Sequence, residues 1–174
     1  MRWIYFLILT LAAVILQTTV VQVLWVRTPV GAIGPEVLAA AAVFFALNAR
    51  GATDAALAGW VLGFAVDLTL SGPGMGLLPL LFAAAAWALN RIREAVFRDR
   101  ALPQMVLTFL FCAFVYEVWT AADVLWGQAG RSGARALQAL GLSAYTGLLA
   151  PLVCGLLRRV DRLLLAAPPS RGRR

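Results

Sequence analysis

The sequence contains no histidine and no lysine, only two cysteines, and only 13% charged residues. Without histidine, the chain has no imidazole that could serve as a general base or as a metal ligand. Cys112 and Cys154 lie within apolar runs and form no CxxC pair, so they predict neither a disulfide framework nor a zinc site. We interpret both as small buried hydrophobic residues and expect no metal and no cofactor.

Hydrophobic residues occupy 62% of the 174 positions. A soluble globular domain is about 45–50% apolar and about 25% charged. A soluble domain of this size would still expose roughly a third of the surface of its unfolded chain, which here would place leucine, valine and phenylalanine in water. The composition therefore excludes a soluble enzyme, a disordered chain and a secreted disulfide scaffold, and it predicts a membrane protein.

All 15 basic residues are arginines, and 8 acidic residues oppose them to give a net charge of +7. The arginines lie between the apolar runs, a pattern that indicates membrane topology and contact with anionic lipid headgroups. We therefore expect membrane lipids as partners and no nucleic acid.

The apolar runs predict an all-α polytopic membrane protein with six transmembrane helices, since a bilayer core requires about 20 apolar residues per helix. Residues 1–167 are expected to form one six-helix domain, and residues 168–174 a short, basic, disordered tail. The predicted spans are residues 3–24, 33–47, 53–70, 75–90, 102–126 and 134–164.

The arginines divide unequally between the two sides of these six spans. Three of them, Arg27, Arg131 and Arg135, fall on one side, and the other twelve fall on the opposite side. Cytoplasmic loops carry the excess of arginine, so both termini are predicted to be cytoplasmic and residues 127–135 to lie outside. The expected location is a bacterial inner membrane.

Three acidic residues lie within or at the edge of the spans, where an ionised carboxylate costs several kcal/mol unless it is paired, hydrated or protonated. For Asp67, the sequence favours neither of two interpretations: a polar site in the bundle or at a partner contact, and a residue at the end of its helix. Asp123 is close to the outer loop, which favours an interface position. Glu117 is the deepest, about two and a half turns inside its helix, which favours a specific contact within the bundle or with a partner helix.

Small residues recur every four positions on the third span, at Ala55, Gly59, Gly63 and then Asp67, so they share one helical face. The GxxxG element at Gly59 and Gly63 lets another helix approach closely, and we favour packing within the bundle over dimerisation.

Further polar residues are candidates for contacts between helices or with a partner. On the first span, Thr18 and Gln22 share a face, and they suit either hydrogen bonds between helices or the outer interface. On the fifth span, Tyr116 shares a face with Asp123. The sequence shows no Gly-rich phosphate loop, no metal-ligand cluster and no lipid-alcohol phosphotransferase motif. We therefore expect no catalytic residues and no enzymatic activity.

Several short motifs follow one another along essentially the whole chain. They are Gln17-Thr18-Thr19, Pro35-Glu36, Gly59 and Gly63 with Asp67 ahead of residues 72–76, the arginine-rich segment 91–100, Tyr116-Glu117, and segments 145–151 and 156–162. In this order they resemble the MreD family of rod-shape-determining inner-membrane proteins. Thr146 departs from that family, which often has asparagine at the corresponding position.

The resemblance implies a non-enzymatic scaffold that binds MreC and helps regulate peptidoglycan synthesis, together with MreB, RodA and a class B penicillin-binding protein. It also implies a similarity to the six-helix substrate-binding components of energy-coupling-factor transporters. The competing hypothesis is a transport subunit that binds a small molecule or a lipid. Such a subunit needs a polar pocket that opens outward, and Tyr116, Glu117, Asp123 and residues 127–133 are the candidate lining.

Overall fold

The computed structural model describes residues 3–19, 21–29, 31–69, 76–92, 101–126 and 132–165. Within these ranges the chain forms six α-helices, which confirms the predicted all-helical class. The predicted turn at 71–74, most of the connector 91–100, most of the loop 127–133 and the tail 168–174 fall outside the described residues. The helices are α1 (Trp3–Thr19), α2 (Val37–Asn48), α3 (Ala52–Thr69), α4 (Leu77–Ile92), α5 (Ala101–Leu125) and α6 (Ser132–Leu165).

The segment between α1 and α2 differs most from the prediction. The α-helix ends at Thr19, and a 3-10 turn over Val21–Leu24 leads into an antiparallel hairpin of β1 (Val26–Thr28) and β2 (Gly31–Ile33). Valines at 20, 21, 23 and 26 favour extended backbone over helix. Gly31, with a φ of +136°, adopts a conformation that side chains disfavour. As a result α2 begins at Val37, four residues later than expected.

α2 is the central helix of the bundle and packs against all five others. Every residue from 38 to 47 is buried, and most of them are alanine, valine or phenylalanine. A helix that is apolar on all sides belongs in an interior, and the small alanines let the neighbouring helices approach closely. α2 has only 12 residues because it is enclosed by protein along its length.

Large apolar side chains cover the outside of the described bundle. Ile4 on α1, Leu102 on α5 and Leu152 on α6 are 74%, 73% and 71% exposed. Two helical segments, Leu102–Leu125 and Gly133–Val160, are long and apolar enough to cross a membrane. An outer surface of this kind suits lipid better than water.

Candidate functional site

A cavity of about 370 Å³ lies at the end of the bundle that carries the hairpin. The end of α1, the hairpin, the residues before α2, the second half of α5 and the start of α6 all contribute to its wall. We refer to it as the hairpin-end cavity. Its polar and aromatic lining includes Gln17, Trp25, Glu36, Tyr116, Asp123 and Arg135.

An ion pair joins α5 to α6 at this cavity. Arg135 Nη1 donates a hydrogen bond of 2.9 Å to Asp123 Oδ2, and the two side chains are 44% and 4% exposed. Asp123 is therefore covered within the bundle and makes a specific contact, the alternative to the interface position that the sequence favours. Arg135 sits within the first turn of α6, close to where α5 ends, so the short connection between the two helices brings the charges together.

Gln17 connects the end of α1 to the start of α2. Its Nε2 donates to the Pro35 carbonyl at 3.3 Å, and its Oε1 accepts from the Val37 backbone N–H at 2.8 Å. The Val37 N–H is one of the first in α2 and has no acceptor within its own helix. Gln17 thus acts as a side-chain cap supplied by a different helix.

The neighbouring polar residues of α1 have no such role. Thr18 is exposed, and its hydroxyl donates to the Val14 and Ile15 carbonyls of its own helix at 2.9 and 3.2 Å. Thr19 likewise donates to the Ile15 carbonyl. Gln22 lies in the 3-10 turn, and its side chain falls outside the described part of the chain.

Replacing Gln17 by leucine should lower the free energy of unfolding by about 1–2 kcal/mol, because it removes two hydrogen bonds and strands the Val37 N–H. The matched control is Thr18→Val on the next residue, which removes only bonds to α1 itself and should change stability by less than about 0.5 kcal/mol. Thermal denaturation of the purified protein in mild detergent measures both. Equal effects of the two substitutions would show that Gln17 does not link the helices.

Glu36 precedes α2 and is 8% exposed. Its backbone N–H donates to Thr146 Oγ1 at 2.9 Å, which attaches the start of α2 to α6 through the residue that departs from the MreD pattern. Its side chain makes no capping bond to α2 and instead lines the cavity beside Tyr116. The two side chains interact electrostatically. Even so, neither Glu36 Oε1 nor Tyr116 Oη is in hydrogen-bonding geometry with any of the described residues.

Contacts with α6, and contacts within the segment itself, fix the hairpin over this end of the bundle. Gln138 Nε2 on α6 donates to the Ala32 carbonyl of β2 at 2.8 Å. The Trp25 ring lies so close to Gly34 that a Cβ atom at that position would be 2.5 Å from Trp25 Cδ1. Trp25 is 50% exposed and also forms part of the cavity wall.

The Gly59–Asp67 face lies away from the cavity, at the contact between α3 and α4. A Cβ atom at Gly59 would lie 2.6 Å from the Phe82 carbonyl oxygen, and one at Gly63 would lie 2.7 Å from Phe82 Cβ. Asp67 Oδ2 accepts a hydrogen bond of 2.6 Å from the Gly76 N–H just before α4. These three residues hold α3 against α4. The Asp67 carboxylate does so by accepting a hydrogen bond from the backbone just before α4 begins.

The structure separates Glu117 from the other candidates on α5. Tyr116 and Asp123 line the cavity, but Glu117 is not part of its lining. The side chain is half-buried, and its Oε1 is covered without a hydrogen bond to any residue in the described ranges. The specific contact that the sequence favours for Glu117 is therefore not seen at Oε1 among the described residues, and a contact with a partner helix stays a prediction.

Sequence analysis missed Gln17 and Glu36 as members of this site. Glu36 fitted the pattern of a helix start after Pro35, so it was not counted with the intramembrane acids although it falls inside the predicted span 33–47. Gln17 was grouped with the threonines beside it. The signal that identifies each of them is a polar side chain within a predicted apolar run: an acid in the case of Glu36 and an amide in the case of Gln17.

Comparison of the chain with protein-family models, with curated proteins and with solved structures gives no match. Function is therefore inferred from the residues of the chain and their arrangement.

Proposed function

We propose that this chain is a six-span scaffold of the bacterial inner membrane, similar to MreD, that binds the transmembrane helix of MreC. In this role it regulates peptidoglycan synthesis and rod shape, in a larger complex with RodA, a class B penicillin-binding protein and MreB. The observation that carries the proposal is an unpartnered apolar face on α1, because a scaffold needs a surface where a partner helix can pack.

The α1 face consists of Ile4, Ile8, Leu11 and Ile15, which are 74%, 58%, 62% and 57% exposed. They are spaced by four, three and four residues, the spacing that brings apolar side chains into the contact between two helices. α1 packs against α2 and only lightly against α3, so this face is left free on the described bundle. A single apolar helix of the MreC type fits such a face.

The polar contacts favour six spans that alternate in direction. At one end, Asn90 near the end of α4 donates to the Ala46 and Ala49 carbonyls at the end of α2, at 2.6 and 3.3 Å. At the other end, Arg27 belongs to the hairpin and Arg135 to the start of α6, which lines the cavity beneath it. Both arginines belong to the arginine-poor side of the sequence, which supports placing the hairpin end outside.

A cysteine introduced at Ser170, in a protein without Cys112 and Cys154, should react with a membrane-impermeant maleimide only after the cells are permeabilised. A cysteine at exposed Thr53, in the first turn of α3, should behave in the same way, and one at exposed Trp25 of the hairpin end should react in intact cells. Reaction at Ser170 exclusively from outside would contradict the proposed topology.

Co-purification tests the function. The full-length tagged chain, expressed with MreC in a bacterial membrane and extracted in mild detergent, should recover MreC. A scaffold also predicts that loss of the chain abolishes rod shape. Failure to recover MreC, with a vitamin or an ATPase module recovered in its place, would overturn the scaffold and favour a transport subunit.

The hairpin-end cavity favours a second candidate function, a membrane subunit that binds a small molecule. Its volume of about 370 Å³ falls within the range of about 300–1,000 Å³ of small-molecule sites. Aromatic side chains and a few convergent polar groups line it, as they do in such sites. Ligand binding and MreC binding use different surfaces of the described bundle, so one protein can carry out both.

A further inference from the structure

Three polar atoms of residues that line the hairpin-end cavity make no well-aligned hydrogen bond in the described part of the chain: Glu36 Oε1, Tyr116 Oη and Asp123 Oδ1. Glu36 and Tyr116 are close enough to interact with each other. The three residues are 8%, 5% and 3% exposed, so each is more than nine-tenths buried. Buried polar groups are nearly always satisfied, and each exception calls for an explanation. Because the three residues line the same cavity, a molecule bound there would lie next to all of them.

The chemistry of these atoms selects the molecule. Carboxylate oxygens accept hydrogen bonds and donate none, so a ligand that satisfies Glu36 and Asp123 must carry several N–H or O–H donors. The Arg135 guanidinium already occupies Asp123 Oδ2 and leaves Oδ1 open. A positively charged ligand would supply Glu36 with a counter-charge, as Arg135 does for Asp123.

Two tryptophan side chains add to this preference. Trp25 and Trp119 both contribute to the wall of the cavity. The face of an indole ring attracts an ammonium group more strongly than the other aromatic side chains do. An anionic ligand would meet the two carboxyl groups, and a neutral ligand would offer the two indole rings no cation.

From these contacts we infer that the hairpin-end cavity binds a primary ammonium group, held by Glu36, Asp123 and the Tyr116 hydroxyl. The inference rests on the second candidate function, that the cavity holds a small molecule, and it names the chemical class. A primary ammonium group can belong to a free amine or to the headgroup of phosphatidylethanolamine. Both sources present the same three N–H donors to the cavity.

The test uses the full-length protein in nanodiscs of phosphatidylcholine, with ethanolamine as the free probe. Ethylene glycol is its neutral isostere, and glycolate provides an anion of similar size. A ligand that binds the folded state raises the melting temperature, so ethanolamine should raise it in a concentration-dependent way while the other two should not. A second arm replaces the lipid by phosphatidylethanolamine without added amine. If the protein is stabilised only in phosphatidylethanolamine nanodiscs, the ammonium group belongs to a lipid. If added ethanolamine stabilises it in phosphatidylcholine, the ammonium group belongs to a free amine.

Glu36→Gln should weaken the binding of ethanolamine by about tenfold or more, the loss expected for a charge-assisted hydrogen bond. Asp67→Asn is the matched control, because Asp67 is a buried carboxylate that binds the Gly76 N–H and is not part of the cavity lining, and it should leave the affinity unchanged. The wild-type comparison of ethanolamine with ethylene glycol needs no variant, so it decides the question even if Glu36→Gln does not fold.

Two results would overturn the inference. The first is stabilisation by ethylene glycol or glycolate as strong as that by ethanolamine, which would leave the small-molecule function standing but remove the ammonium specificity. The second is no stabilisation by ethanolamine or by phosphatidylethanolamine. Neither result bears on the recovery of MreC, so failure of this inference and failure of the scaffold are distinguishable.

Discussion

Substitution of Gly59 or Gly63 by alanine, the smallest possible addition, should destabilise the protein. The new Cβ atom at Gly59 would lie 2.6 Å from the Phe82 carbonyl oxygen and 2.7 Å from Ala86 Cβ, and the one at Gly63 would lie 2.9 Å from the Leu78 carbonyl oxygen. The backbone of α4 cannot move away as a flexible side chain can, so α3 and α4 must separate. Overpacking of this kind costs about 1–3 kcal/mol, and leucine at either site should cost more.

The matched control is Gly155→Ala on α6. A Cβ atom there would meet no heavy atom of the described neighbouring residues within 4 Å. Alanine is favoured over glycine in a helix by roughly 0.5–1 kcal/mol, so this substitution should be neutral or stabilising. Melting temperatures in detergent give the sign of each effect. A Gly63→Ala protein as stable as Gly155→Ala would show that α3 and α4 do not pack through the glycine face. Gly59 and Gly63 contact the same residue, Phe82, so the effects of the two substitutions should not add.

Removal of Arg135 should have an effect as large as the loss of the glycine contact. In Arg135→Gln, the buried Asp123 carboxylate loses its counter-charge. Breaking a fully buried pair costs about 3–5 kcal/mol, and we expect about 2–3 kcal/mol here because Arg135 is 44% exposed and screened by solvent. Arg159→Gln, which removes an exposed arginine from the same helix, should change stability by less than about 0.5 kcal/mol.

The double variant Asp123→Asn/Arg135→Gln separates loss of the pair from a general effect of Arg135. It removes both charges and leaves two amides that can bond to each other, so it should be more stable than Arg135→Gln alone. The interaction energy in this double-mutant cycle measures the coupling between α5 and α6. If the destabilisation of the double variant relative to wild type equals the sum of the two single effects, the two side chains act independently.

The helices could be predicted from sequence because long apolar runs specify them without reference to their neighbours. The ends of α5 and α6 fall within two residues of the predicted bounds. The start of α2 could not be predicted from periodicity, since 33–47 is one apolar run. The structure divides it into β2 and a helix because Gln17 and Thr146, both distant in sequence, bind the backbone at residues 35–37.

The candidate site was predicted only in part, for a related reason. Tyr116 and Asp123 could be placed on one face because they lie on the same helix. Their partners, Glu36 and Arg135, come from other helices, and the pairing depends on which helix ends meet. The burial of these site residues also depends on the hairpin segment, because Trp25 and Ala32 cover the cavity. No helical pattern in the sequence predicts a β-hairpin over that end.

The separation between the α1 face and the hairpin-end cavity has a functional consequence. The face uses aliphatic side chains in the middle of α1, whereas Gln17 at its end holds the start of α2 beside Glu36. A partner helix that packs on α1 would therefore contact the same helix that contributes Gln17 to the cavity wall. Under the proposed function, binding of MreC and occupancy of the cavity should influence each other through Gln17.

Site-specific photocrosslinking tests the central claim, that a partner helix packs on α1, most directly. A benzophenone side chain at Leu11 on the α1 face and another at Leu152 on α6 sample two apolar positions that are 62% and 71% exposed. In membranes that contain MreC, the scaffold predicts a crosslink to the MreC transmembrane helix from position 11 and none from position 152. Crosslinking to MreC from position 152 alone, or equally from both, would contradict α1 as the binding surface, and no crosslink from either position would contradict the scaffold itself.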